Sequence, residues 1–411
     1  MKIFLTGGWG YGNLGDDAIL ASMLRSLRST FNNPEIILST FNRQETEFHH
    51  AETTLPSMHA WMFPHKLIPL KLLCYLLWKL TYKLTGLHCF VGKDFKALAQ
   101  AMQRSDIAIM GGGGYFNDIW RGQLIARLVE IDLAKTMNKK IMIYGQTVGP
   151  FAKDISKKYF GRFLNKFDFI AYRDKQSLKT LNNYGFDLSK ATHTADEANL
   201  LPPMTQGRAV FAKYGIDASK YTLGVMIQKF RPYESVDGTK PFDDIKNQDQ
   251  YFSEIEKGLR QIIAKANANV VFIPSTSWDI PVCEALYQRL TANGEKGIFL
   301  IKDEPVNDFI AICQSVDCML STNMHPVILA STNGVPSLAI SYFYKVDDFM
   351  SSVGLEDYVI RIDQATAERL TSTFDKLVGN FDQAKAKLAN NFETVKARAR
   401  KNAEAAKAMA K

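Results

Sequence analysis

Short apolar runs alternate with helical patterns along most of this chain, and no other feature limits its fold so tightly. Buried strands are predicted at Lys2–Thr6, Glu35–Ser39, Asp106–Met110, Lys140–Tyr144 and Phe167–Tyr172. Between them Ile19, Met23 and Leu27, and then Leu124, Leu128 and Ile131, recur at helical spacing. Strand–helix alternation of this kind builds βαβ units around a parallel sheet. The series breaks at Pro202-Pro203-Met204-Thr205-Gln206-Gly207, which reads as a linker. A second series follows at Thr222–Gln228, Asn269–Pro274, Gly297–Lys302, Asp317–Ser321, Ser337–Ser341 and Tyr358–Ile362. The polar stretch Arg231–Asp249 reads as a loop, and Leu388, Phe392, Val395 and Ala399 mark an amphipathic helix near the end. The expectation is an α/β protein with two doubly wound Rossmann-like domains facing a cleft. The first spans 1–201, the second 208–380, and a C-terminal helix covers 381–411. A chain of 411 residues is long enough for two cores.

Charge narrows the function. Residues 382–411 hold eight Lys/Arg against three Asp/Glu, so they supply most of the net +8. The rest is nearly neutral and lacks the basic footprint of a nucleic-acid binder. Five cysteines without a C-x-x-C pair, and seven His without an H-x-x-x-H, fit neither a disulfide scaffold nor a zinc site. A reduced, cytoplasmic setting is expected. The start MKIFLTGGWGYGN reads as a strand rather than a signal peptide. Residues 63–91 are apolar but carry Lys66, Lys71, Lys79 and Lys83, too many charges for a spanning helix. Two readings stand for them. One is an interfacial helix at the inner face of the cell membrane, with Tyr75, Trp78 and Tyr82 among its lysines. The other is a core helix with exposed lysines.

In open parallel sheets ligands bind beyond the carboxyl ends of the strands, so candidate sites are sought in the loops there. The first loop, Gly7 to Asp17, holds five glycines and ends at a helix start carrying Asp16 and Asp17. These acids complement the helix dipole and repel phosphate, so the loop, with Asn13, suits sugar hydroxyls. A capped structural turn explains the same residues. The second loop, Gly111-Gly112-Gly113-Gly114, is entropically costly and points to close approach of backbone to a ligand. Asn117 follows as a ligand or a cap. In the third, Gly145 to Pro150, Gln146 is a ligand or part of a turn. Arg173 is an anion ligand or a salt bridge to Asp174. In the fourth, Ser321 to Pro326, Pro326 fits the first helical position and Gly334 the helix stop. His325 thus stands at an acid-free helix N-terminus, either as part of an anion site or as a satisfied surface or core residue. Lys229, Arg231 and Lys345 also follow strands, each as an anion ligand or a solvated charge.

Together, G-Y-G-N-L-G-D-D at 10–17, G-G-G-G at 111–114, G-Q-T-V-G-P at 145–150, Y-R-D-K-Q-S at 172–177 and the M-H-P-V-I-L-A…G-V-P…S-Y-F-Y-K segment at 324–345 resemble the polysaccharide pyruvyl transferase family. The motifs follow the family order and cover most of 1–350. The resemblance implies a GT-B-like architecture and transfer of pyruvate from phosphoenolpyruvate to a sugar hydroxyl pair. The acceptor would be a cell-envelope or capsular glycan, often lipid-linked, and phosphoenolpyruvate would be a co-substrate with no cofactor beside it. It further implies that Arg173, Lys345 and the helix start at His325 hold the donor. His325 would protonate its carbon 3, and Asp16 or Asp17 would orient or deprotonate the hydroxyl. The family commonly has an Arg two residues before the His, where this chain has Asn323. Asn lacks a bidentate cationic grip. That leaves Arg173, Lys229, Arg231 or Lys345 to compensate, or else a different donor or a lost activity. A GT-B glycosyltransferase using a nucleotide sugar is the alternative, and a binding protein with a decayed site the third reading.

Overall fold

The computed structural model describes residues 1–118, 121–149, 151, 161, 163–230, 245–292 and 294–411. These form two compact units. The first comprises Met1–Gly12, Ile19–Glu197 and Arg398–Lys411; the second comprises Asn13–Ala18 and Ala198–Ala397. The passage at Glu197/Ala198 falls just before the predicted Pro-rich linker. The last helix, Phe381–Ala410, is divided between the units, and its predicted apolar face at Leu388, Phe392, Val395 and Ala399 is buried.

In the first unit the strands are β1 (Lys2–Thr6), β2 (Glu35–Thr40), β3 (Thr54–Pro56), β4 (Ile107–Met110), β5 (Gly113–Phe116), β6 (Lys140–Val148), β7 (Phe169–Tyr172) and β8 (Ala191–His193). Their order is β3-β2-β1-β4-β6-β7-β8, with β5 also on β6, and every pairing is parallel. The second unit carries β9 (Thr222–Met226), β10 (Asn269–Phe272), β11 (Ile298–Leu300), β12 (Cys318–Ser321), β13 (Ser337–Ser341) and β14 (Val359–Arg361). They run in the order β11-β10-β9-β12-β13-β14, again all parallel. Each sheet reverses its strand order once, at β1/β4 and at β9/β12. These are the switch points where Rossmann-type sheets bind ligands. Burial on both faces explains the unbroken apolar strands, such as Ile-Ala-Ile-Met in β4.

Three differences from the sequence reading have plain causes. β3, β5 and β8 hold only three or four residues each, too few to show a period. β6 continues through Gly145-Gln146-Thr147-Val148, so most of the predicted third loop is strand. The helix Ile245–Ala266 begins inside the predicted 231–249 loop; its buried face at Tyr251, Ile255, Leu259 and Ile262 is preceded by a polar first turn that hides it.

One side of the Ile68–Thr85 helix follows the core reading of the apolar stretch. Tyr75 and Trp78 belong to the core, against Phe95, and the Tyr75 hydroxyl donates to Asp132 at 2.8 Å. They are therefore not interfacial anchors. The opposite side is a row of exposed leucines. No helix among the described residues is long and apolar enough to cross a membrane.

A buried acid joins the Arg398–Lys411 segment to the rest of the first unit. Glu197 accepts from the Tyr144 hydroxyl at 3.0 Å and from Asn402 Nδ2 at 2.9 Å. Burial raises its pKa to about 7, against the opposing hydrogen bonds from Ser26, Asn402 and Tyr144. The folded protein thus holds a proton there that the unfolded chain has lost, and stability falls as pH rises from about 4.5 to about 7. Relative to Glu197→Gln, the wild type should lose about 3 kcal/mol across that window, as read from urea midpoints at each pH. Parallel pH profiles for the two proteins would refute this.

Candidate active site

Four neighbouring strands of the second sheet end at one edge, and each delivers polar side chains there. β10 leads to Ser275 and Thr276, β9 to Lys229, β12 to Asn323 and His325, and β13 to Lys345. The Asn13–Ala18 segment belongs to this unit. Leu14 N donates to Ser275 O at 2.8 Å, and Asn13 pairs with Thr276 in an isolated antiparallel bridge. Asp279 holds that turn by accepting from Thr276 Oγ1 at 2.7 Å and Thr276 N at 3.1 Å.

The helix Leu14–Thr30 therefore starts against the helix Met324–Thr332. At the contact, a Cβ placed on Gly15 would lie 2.2 Å from His325 Nδ1 and 2.5 Å from Cγ. No residue with a side chain fits there while the imidazole keeps its place. His325 is buried in this packing. Asn13 caps the Leu14–Thr30 helix, since its Oδ1 accepts from Gly15 N at 3.0 Å while its Nδ2 donates to Asp16 Oδ2 at 2.7 Å. Asp17, on the same turn, is fully buried. Asn13, Gly15 and Asp16 thus share one turn, which His325 meets at Gly15; Asp16 is oriented by the cap rather than acting as the cap.

Asn323 caps the Met324–Thr332 helix, accepting from His325 N at 3.3 Å and donating to Ser275 Oγ at 2.8 Å. The Asn323 side chain, standing where the resemblance led to an Arg being expected, is thereby committed to fixing the backbone that carries His325. This cap moves the helix start upstream of the expected position, so Pro326 is the third helical residue. It is tolerated because the first N–H groups of a helix have no intrahelical partner. Gly334, at φ 71°, follows the Asn333 C-cap as predicted. Lys345 opens the helix Tyr344–Ser352, with Nζ 5.3 Å from the Phe343 ring centre, and Lys229 is exposed beyond β9. Arg231 lies outside the described residues.

In the first unit the structure assigns several predicted ligands to other work. Gly111 and Gly112 are accounted for by packing. A Cβ at Gly111 would lie 2.3 Å from the Trp9 ring, and one at Gly112 would lie 2.8 Å from Ile19 Cγ2. Gly113 sits in β5 at φ 113°, which only glycine adopts readily. The Gly114 carbonyl accepts from Asn117 Nδ2 at 2.6 Å. Gln146 is fully buried and donates to the Gly111 carbonyl and the Tyr115 hydroxyl, so it fastens the glycine run. Arg173 forms a buried ion pair with Asp196, and its Nε donates to Thr147 Oγ1 at 3.1 Å. It is a salt bridge, but not to Asp174. That neighbour is occupied as the cap of Lys175–Asn183, accepting from Ser177 N at 2.8 Å.

Sequence reasoning missed two groups. Arg127, fully buried, reaches Thr6 Oγ1, Glu130 Oε2 and the Gly7 carbonyl, pinning the first loop at the end of β1. The Tyr11 hydroxyl bonds His59 Nδ1 at 2.6 Å, and His59 Nε2 lies 2.9 Å from Nε2 of the exposed His65. Burial pushes the Tyr11 hydroxyl to about 12, and burial, with Arg127 and His65, holds His59 down to about 3, so both are neutral. The G-Y-G of the first loop was the available signal for Tyr11; nothing local marks Arg127 or His59.

With this geometry in view, the chain can be placed among known proteins. The Polysaccharide pyruvyl transferase family model matches residues 13–342, and the chain belongs to that family of transferases. It is 21% identical to the amylovoran biosynthesis protein AmsJ of Erwinia amylovora, over 93% of each chain. Its fold is similar to a putative UDP-N-acetylglucosamine 2-epimerase from Listeria monocytogenes (TM-score 0.60, 12% identity, covering 98% of this chain and 94% of that one). It is also similar to Anabaena Alr3699/HepE in complex with UDP-glucose (TM-score 0.58, 12% identity, 100% and 98%). The two-unit α/β architecture is thus of the GT-B kind, and the enzyme is a transferase of polysaccharide biosynthesis.

Proposed function

We propose that this enzyme transfers pyruvate from phosphoenolpyruvate to two hydroxyls of one sugar in a cell-envelope or capsular glycan. It would act in the cytoplasm, on a lipid-linked precursor at the inner membrane face, with no cofactor beyond the co-substrate. The single observation that carries this reading is the seating of the His325 imidazole on Gly15, beside Asp16 on the first turn of Leu14–Thr30. It couples a group able to give a proton with a carboxylate able to take one. The family membership and the relative named for amylovoran biosynthesis support the substrate class.

In this reading the donor's anionic groups meet the start of Met324–Thr332 and the cations Lys229 and Lys345. His325 gives a proton to carbon 3, which leaves carbon 2 electron-poor. A sugar hydroxyl adds to carbon 2 and loses its proton toward Asp16. Phosphate departs with its bridging oxygen, and the second hydroxyl closes the ketal on carbon 2 as its proton passes to the departing phosphate. Cationic contacts that strengthen as phosphate leaves lower the barrier further.

Thermal shift with candidate donors tests this. Phosphoenolpyruvate at about a hundred times its dissociation constant should add about 2.7 kcal/mol, a rise of several degrees in Tm. Stabilisation by UDP alone would favour the nucleotide-sugar glycosyltransferase, and no response to either would favour a decayed site.

A further inference from the structure

We propose that the Ile68–Thr85 helix seats the enzyme on an anionic lipid bilayer through its outward leucine face. Leu70, Leu77 and Leu84 fall seven residues apart, as do Leu73, Leu80 and Leu87, with Leu76 among them. Seven residues is close to two helical turns, so the helical members form one stripe. The leucines at 70, 73, 76, 77, 80 and 84 are each between 39% and 76% exposed. They lie opposite the core face of Ile68, Tyr75 and Trp78. Phe63 and Phe90 are likewise exposed beyond the two ends. A contiguous apolar strip of this size marks a surface meant to be covered.

Charge decides what covers it. From Thr53 to Lys93 the chain holds five lysines (66, 71, 79, 83 and 93) and no Asp or Glu. A cavity of about 560 Å³ opens at the helix's C-terminal end, lined by Lys79, Lys83 and Lys135 with Tyr82, Asn138 and a single acid, Asp132. That acid is already paired with Lys79 and with Lys166. A leucine face bordered by lysines on a stretch that itself carries no acid complements acyl chains beneath phosphate headgroups. A second copy of the chain is the poorer occupant. Two-fold contact brings each patch onto itself and sets lysines against lysines. This inference concerns where the enzyme works rather than what it transfers, so its failure leaves the transfer reading standing.

Co-sedimentation of the full chain with lipid vesicles tests it. Vesicles in which about a third of the lipid is phosphatidylglycerol should bind the protein at least tenfold more tightly than phosphatidylcholine alone. Binding should weaken between about 0.05 M and about 0.5 M salt. The variant L73E/L80E should lose binding at least tenfold while keeping its Tm, since both side chains point away from the core. The variant K66E/K83E should lose the preference for anionic lipid. Equal or absent binding to both vesicles at low salt would overturn the proposal, as would leucine variants that bind like wild type. A dimer split by L73E/L80E with vesicles ignored would assign the face to a second copy.

Discussion

Replacing His325 by alanine should lower the rate of pyruvyl transfer by about 10²–10⁴-fold, the range that a positioned general acid supplies. It should cost little Tm, because the ring is bounded by a helix start rather than by the apolar core. Gly15→Ala should approach the same loss without touching the reacting atoms. Its added Cβ would sit 2.2 Å from Nδ1, so the imidazole must leave its place. If Gly15 acts only by seating His325, the double variant will be no slower than His325→Ala alone, because the two effects are not additive within one unit. Steady-state rates with phosphoenolpyruvate and a glycan acceptor, measured by phosphate release, read all three proteins. Multiplying losses in the double variant would show that Gly15 has a separate role. Retained turnover in His325→Ala, with a large fall in Tm, would make the histidine structural.

The runs that signalled both sheets were legible because strands buried on two faces are apolar without interruption, and β1 and β13 match their predicted bounds. The helix at His325 was legible through Pro326 and Gly334, although the cap at Asn323 was not. Nothing in S-T-N-M-H says that the asparagine will turn back to its own helix rather than outward to a ligand. The glycine run shows the opposite limit. Backbone approach by a ligand and by Trp9 demand the same missing Cβ, and only the fold reveals that the indole of Trp9, nearly fully buried, takes the space at Gly7 and Gly111. Gln146 and Arg173 have the chemistry of ligands, but long-range partners claim them: the Gly111 carbonyl and Asp196. Distance along the chain hid the Gly15–His325 seat as well. Each half is conspicuous locally, yet their contact depends on Leu14 reaching Ser275.

Arg127→Met should be the most destabilising of the substitutions considered, at about 3–5 kcal/mol, because it strands Glu130 in the core without its cation. The pair is 1% and 0% exposed, with Nη1 2.8 Å from Oε2. Burial works against the guanidinium charge, but the electrostatic pull of Glu130 and of the Tyr115 and Tyr11 hydroxyls outweighs it and raises the pKa; the Tyr115 ring centre also lies 4.7 Å from Cζ. Removing both ions, as in R127M/E130L, should recover about 2 kcal/mol of the loss, since apolar replacement of a buried pair is often close to neutral. Recovery should stop short of wild type by about 1–3 kcal/mol, because Thr6 Oγ1 and the Gly7 carbonyl would still lack their donor. Urea midpoints at unchanged slope measure this, followed on the transition of the first unit so that the two units are not averaged. If the double variant were as unstable as the single one, the cost would lie in packing and the bond to Gly7 rather than in the stranded charge. Arg127 would then serve chiefly to hold the first glycine loop in place.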